Sequence, residues 1–130
     1  MTTDTTWDPQ EQIREAAKRI DVKIGRKKEL KTAHELLQEN EPVEVMVDGM
    51  YRDKAGLLIV TDRRAIFYRA GMMSSFSEDI NYSKMTSVSY QKKMTKGVIR
   101  VMASGHSVEF DVYNKKAAQM VAERLRAKID

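Results

Sequence analysis

The hydrophobic pattern of this chain changes period at Pro42, and that switch limits the folds open to it. Ahead of Pro42, apolar residues recur at helical spacing. Ile13, Ala16, Ala17, Ile20 and Ile24 form one stripe. Asp8-Pro9-Gln10-Glu11 starts that helix: Asp8 accepts from free N–H groups of the first turn, and Pro9 fits the first helical position. Gly25-Arg26-Lys27-Lys28 interrupts the stripe as a C-cap or hinge. A second helix is predicted from about Glu29 to Gln38, with Leu30, Ala33 and Leu37 on one side and Leu36 beside them. Asn40-Glu41-Pro42 ends it.

After Pro42 the period becomes two. Val43, Val45 and Val47 alternate with Glu44, Met46 and Asp48 as a half-buried strand. Gly49 to Lys54 reads as a turn region around Met50 and Tyr51. Ala55–Thr61 is apolar on both faces at Leu57–Val60 and is therefore central. Further strands are predicted at Ala65–Arg69, Ser75–Ile80, Met85–Tyr90, Val98–Ala103 and Ser107–Val112. Asn114 caps a closing helix whose stripe is Ala118, Val121, Leu125 and Ile129, with Ala117 and Met120 flanking. Seven short strands in a meander followed by one helix give an antiparallel sheet. Such a sheet must curl to bury its apolar face. The chain divides into a tail and amphipathic helical extension over 1–41 and an α+β domain over 42–130.

Composition narrows the function. With no cysteine there is no disulfide, no thiolate nucleophile and no Cys-ligated zinc. The first residues show neither a basic nor an apolar leader region, and no apolar run approaches the ~20 residues that span a bilayer. A cytoplasmic location is expected. The net charge of +4 is uneven: −1 over 1–42, +2 over 43–112 and +3 over 113–130. His34 sits on a helix and His106 in a turn, outside any metal or triad spacing. Glu78-Asp79 and Glu109/Asp111 read as solvated or capping carboxylates. Neither a phosphate-binding glycine loop nor a nucleophile elbow is present. No enzyme activity, cofactor or metal is expected.

The stretch Gly56-Leu57-Leu58-Ile59-Val60-Thr61-Asp62-Arg63-Arg64-Ala65-Ile66-Phe67-Tyr68, with Asp79-Ile80-Asn81-Tyr82-Ser83-Lys84-Met85-Thr86-Ser87-Val88, resembles the bacterial pleckstrin-homology-like (PH-like) domains, in particular the YokE-like group. The resemblance covers about residues 42–129. It implies a PH-like barrel of seven strands with an open corner plugged by the C-terminal helix. It also implies a scaffold without catalysis whose members tend to self-assemble. Eukaryotic relatives bind inositol-phosphate headgroups through a basic first hairpin. Here that hairpin reads Tyr51-Arg52-Asp53-Lys54, with an acid between two bases.

Two surfaces remain as candidates. Lys92, Lys93, Lys96 and Arg100, with Arg63 and Arg64, are candidate contacts to an anionic surface. Tyr90 is their one aromatic neighbour, so nucleic acid is not expected as a partner. Ile13, Ala17, Ile20 and Ile24 need burial on the chain's own sheet or on another copy, and are candidate oligomer contacts. Nine methionines, among them Met50, Met72, Met73 and Met94 in or near loops, add adaptable apolar surface. The expected function is an interaction module that self-associates, with or without an unidentified protein partner. The alternative is a peripheral binder of anionic lipid.

Overall fold

The computed structural model describes residues 7–19 and 27–129. The expected tail, Ile20, Ile24 and the Gly25-Arg26 break lie wholly or mainly outside them. Helix α1 spans Pro9–Arg19, and α2 spans Lys27–Thr32 and runs into a 3-10 turn at Ala33–Leu36. Seven strands follow: β1 Val43–Tyr51, β2 Lys54–Thr61, β3 Arg64–Ala70, β4 Ser75–Asn81, β5 Met85–Lys92, β6 Gly97–Ala103 and β7 His106–Val112. Helix α3, Lys115–Arg126, closes the chain. The helix-start signals act as read: the Asp8 carboxylate accepts the Gln10 N–H at 3.0 Å, and the Asn114 side chain accepts the Ala117 N–H at 3.1 Å. The second helix tightens early because the Thr32 hydroxyl bonds back to the Lys28 carbonyl at 2.9 Å and on to the Tyr68 hydroxyl at 2.5 Å.

The strands form one antiparallel sheet in the order β4-β3-β2-β1-β7-β6-β5. β1 is the turning point. It pairs with β2 from Val43 to Tyr51 but meets β7 only at Met50 and Tyr51. Gly49 sits there, opposite Gly56, and a Cβ on Gly49 would lie 2.6 Å from the Asp111 carbonyl oxygen. This missing side chain lets the sheet fold over so that all seven strands and α3 share one core. At its centre Tyr51 lies 5.0 Å from both Phe67 and Phe110, ring centre to ring centre. Ala118, Val121 and Leu125 plug it from α3.

β1 extends three residues beyond the Val43–Asp48 alternation, and its hairpin turns on Arg52 and Asp53 alone. Both adopt positive φ, 52° and 63°, the conformation of a tight two-residue turn.

A second core lies on the opposite face of β1–β3. Met46, Leu57, Ile59, Ile66 and Tyr68 are buried there against Ile13, Ala16 and Ala33. The double-sided apolar run at Leu57–Val60 is thus divided between two cores. Polar contacts fix this layer in register. Gln12 accepts the Val43 N–H at 3.0 Å, Arg19 donates to the Val43 carbonyl at 3.0 Å, and Glu29 accepts the Ala70 N–H at 2.7 Å.

The link between the layers is the carboxylate of Glu41, which is 0 % exposed. One of its oxygens accepts from Thr61 Oγ1 at 2.7 Å and Arg64 Nε at 2.9 Å. The other accepts from Arg64 Nη2 at 2.9 Å and the Gln38 N–H at 2.8 Å. Arg64 also donates to Asp79 at 2.7 Å and to the Leu36 carbonyl at 2.6 Å. Burial by itself pushes the Glu41 carboxyl upward. The donors from Arg64, Gln38 and Thr61 outweigh it and hold the group at about 2, below its ordinary 4.5.

Two outcomes are expected. Gly56→Ala would bring a Cβ to 2.4 Å from the Tyr68 carbonyl and 2.8 Å from the Phe67 ring. It should lower unfolding free energy by about 3 kcal/mol in urea titrations; a loss below about 0.5 kcal/mol would refute the close-approach account. Glu41 is more acidic folded than unfolded, so its contribution is present above pH 4.5 and is lost as pH falls toward 2. Glu41→Gln should therefore cost roughly 3 kcal/mol at pH 7, with the difference from wild type shrinking between pH 4.5 and 2. A difference that stays constant over that range would show that the ionised carboxylate is not what matters.

Candidate functional site

The six candidate anionic contacts separate into three situations. Arg64 is the buried anchor just described, and its carboxylate partners hold its guanidinium further toward the charged form. Arg63 lies over the end of the 3-10 turn, donating to the Gln38 side chain and the Asn40 carbonyl, each at 2.9 Å, and lies 3.5 Å from Asp62. The Thr61 hydroxyl accepts the N–H groups of Arg63 and Arg64 at 3.0 and 3.1 Å, so the Thr61-Asp62-Arg63-Arg64 stretch is a self-braced turn. Both arginines serve the inner architecture.

Lys96, the residue before β6, and Arg100, on the outer side of β6, are matched by carboxylates of β7. Lys96 lies 2.7 Å from Asp111, whose carboxylate raises the ammonium pKa, and Arg100 bonds to Glu109. These are the solvated carboxylates expected at 109 and 111, each neutralised by a cross-strand cation. Lys92 and Lys93 are different: both are exposed, and neither makes an ion pair among the described residues.

The structure brings to this place two further cations, Lys115 and Lys116, which nothing local in the sequence ties to the turn. The Lys93 N–H bonds to the Lys96 carbonyl at 2.8 Å, closing the β5–β6 turn. Lys115 Nζ donates to the Met94 carbonyl at 2.6 Å, and Tyr90 donates its hydroxyl to the Lys115 carbonyl at 3.3 Å. The turn therefore rests on the start of α3, and Lys92, Lys93, Lys115 and Lys116 share one corner. Met94, at its tip, is 90 % exposed. The only sequence signal for this meeting was the +3 charge of residues 113–130.

The first hairpin is arranged otherwise. The Tyr51 hydroxyl donates to Glu78 at 2.7 Å, and burial together with that carboxylate pushes it up to about 12. Arg52 lies 5.1 Å from the Tyr51 ring centre and 3.9 Å from Glu78, and Lys54 lies 5.5 Å from the Phe76 ring centre. Its cations rest on neighbouring rings, Arg52 also beside a carboxylate, and do not converge on an open cradle.

A third surface lies at the β3–β4 turn. Met72 and Met73 are 91 % and 96 % exposed, and Phe76 is half-exposed on the end strand β4. Of the candidate oligomer contacts, the two among the described residues sit inward: Ile13 is 2 % exposed and Ala17 packs on the second core. His34 lies on the outer helical layer and His106 at the β6–β7 turn. Among the described residues no three His, Cys, Asp or Glu side chains gather as a metal site. No described helix is long and apolar enough to cross a membrane.

Comparison with curated proteins finds no match. Among solved structures, the C-terminal domain of an unknown protein from Leishmania infantum is similar at 17% identity. It covers 81% of this chain and 94% of that one, with a TM-score of 0.56, a likeness of fold. A duf1696 family protein with a pleckstrin-homology domain from Shewanella loihica aligns at 15% identity and a TM-score of 0.46, covering 75% of this chain and 87% of that one. The Bacterial PH domain family model matches residues 37–127, from the end of the 3-10 turn through α3 and with Glu41 inside the match. The seven-stranded sheet closed by a C-terminal helix, together with that match over most of its length, makes this chain a member of the bacterial PH domain family.

Proposed function

We propose that this chain is a non-catalytic interaction module that self-associates through the open edge of β4 and the adjoining Met72–Met73 turn. The observation behind it is a pair of almost fully exposed methionines beside an end strand that carries a half-exposed Phe76. The two end strands are not equivalent. β5 is blunted by an irregularity between Met85 and Ser87, by Arg126 donating to the Val88 carbonyl at 3.3 Å, and by Lys92 at its end. β4 has no such cover among the described residues. An identical strand laid antiparallel supplies a matching row of donors and acceptors, and methionine adapts its shape to a repeated contact.

The N-terminal helices enter this reading indirectly. Ile13 and Ala16 are held in the chain's own second core, so these helices complete the sheet that presents the edge. Catalysis has little support. His34 and His106 lie on different elements, and the buried Glu41 is saturated by donors. A reducing, cytoplasmic setting completes the reading, supported by the cysteine-free composition.

Light scattering on the full chain should give a mass above that of one copy. Met72→Asp/Met73→Asp should return it to a single copy with little change in melting temperature, because both side chains lie in solvent. A monomeric wild-type chain overturns self-association. An assembly indifferent to the double substitution overturns the choice of surface.

A further inference from the structure

The corner formed by the β5–β6 turn and the first turn of α3 carries a second, independent surface. We propose that it docks on an anionic bilayer, with Met94 as the inserted tip and Lys92, Lys93, Lys115 and Lys116 as the cations around it. Positive charge is concentrated here. Six cations lie here, the four lysines with Lys96 and Arg100, and Glu109 and Asp111 neutralise only the last two. Four lysines remain without an ion pair. No carboxylate among the described residues comes within ion-pairing distance of them.

Folding stability does not explain this placement. The first turn of α3 contains no acidic residue and begins with Lys115-Lys116. The exposed N–H groups of a helix start carry partial positive charge, so lysines there work against the helix and carboxylates would favour it. The lysines are held in spite of that cost, and the Lys115–Met94 bond ties the helix start to the turn.

The shape selects the partner. Met94 stands 90 % exposed on a tight turn, and Tyr113, 55 % exposed, lies at the base of α3. A peptide or small ligand needs a groove to bury its own surface. A convex apolar tip ringed by cations suits a plane of negative charge with an apolar interior, where lysine stems lie along the surface and the tip enters. The surface also differs from the headgroup site of the eukaryotic relatives. Strand register puts Tyr51 beside Phe110 and Gly97 beside Val112, so the Met94 turn lies off the end of β7 opposite to the Arg52-Asp53 turn.

Co-sedimentation of the full chain with vesicles tests this. Binding is expected to phosphatidylcholine vesicles containing about a third phosphatidylglycerol, absent from pure phosphatidylcholine, and weakened by salt. Each lysine neutralised should lower affinity about fivefold, so Lys92→Gln/Lys93→Gln/Lys116→Gln should lower it about a hundredfold. Met94→Ser should weaken binding about tenfold while leaving the salt dependence unchanged. Lys116→Glu should raise the melting temperature and still weaken binding, a combination that a structural role for the lysine does not produce. The proposal is overturned if anionic vesicles do not bind, if the triple variant binds as wild type does, or if short duplex DNA is retained at the same salt while vesicles are not.

Discussion

A buried carboxylate shared between two layers holds this molecule together. Glu41 lies at the point where the helical segment becomes a sheet, and its four donors come from both sides of that junction. The Gln38 N–H belongs to the helical side, and Thr61 and Arg64 flank the β2–β3 turn. Arg64 returns the connection by bonding to the Leu36 carbonyl. Removing one partner of such a pair strands the other charge in the interior, which costs far more than the pair contributes as a whole. The network therefore acts as a registration device. The observed placement of the helices on β1–β3 satisfies both oxygens of Glu41.

That placement decides where the chain can meet anything else. Strands β1–β3 are covered on both faces, by α3 and the curled sheet on one side and by α1 and α2 on the other. The sheet faces that interaction domains often expose are thus largely occupied. What remains are the outer face of β5–β7, the end strands and the turns, among them β4 with Met72 and Met73 and the lysine corner around Met94. Charge is divided in the same way. The cations near the sheet interior are matched, Arg64 by Glu41 and Asp79, and Lys128 by Glu44 at 2.8 Å. Four lysines without an ion pair among the described residues share one corner, where water carries the cost of their repulsion.

The bend at Gly49 is equally decisive for shape. Without a close approach between β1 and β7 there, the two halves of the sheet would splay, and Tyr51, Phe67 and Phe110 would not share one interior. Gly56 opposite lets the Phe67 ring lie against the backbone. The two glycines lie outside the Val43–Asp48 alternation, so the apolar pattern that marks the strands carries no trace of the bend.

Local chemistry determined the elements. Period-two runs, the Asp8 and Asn114 caps and the two-sided apolar stretch at Leu57–Val60 are properties of near neighbours, and they specified seven strands, a closing helix and a helical extension. The Gly56–Tyr68 stretch carried enough of its family's strand chemistry for the barrel to be expected from it. Where the chain lacks a local signal, strand ends and turns are not legible from the pattern. β1 continues past the alternation to Tyr51, and its two-residue Arg52-Asp53 turn at positive φ lacks the Asn-Gly signature that would mark it in the sequence. Only the tertiary structure decided which charge meets which. Arg64, one of two adjacent arginines in a polar turn, became a buried anchor because Glu41 is folded over it from 23 residues away. Lys92 and Lys93 joined Lys115 and Lys116 because a turn came to rest on a helix start. An ion pair depends on distance in space and on desolvation, and neither is written in the order of residues along the chain.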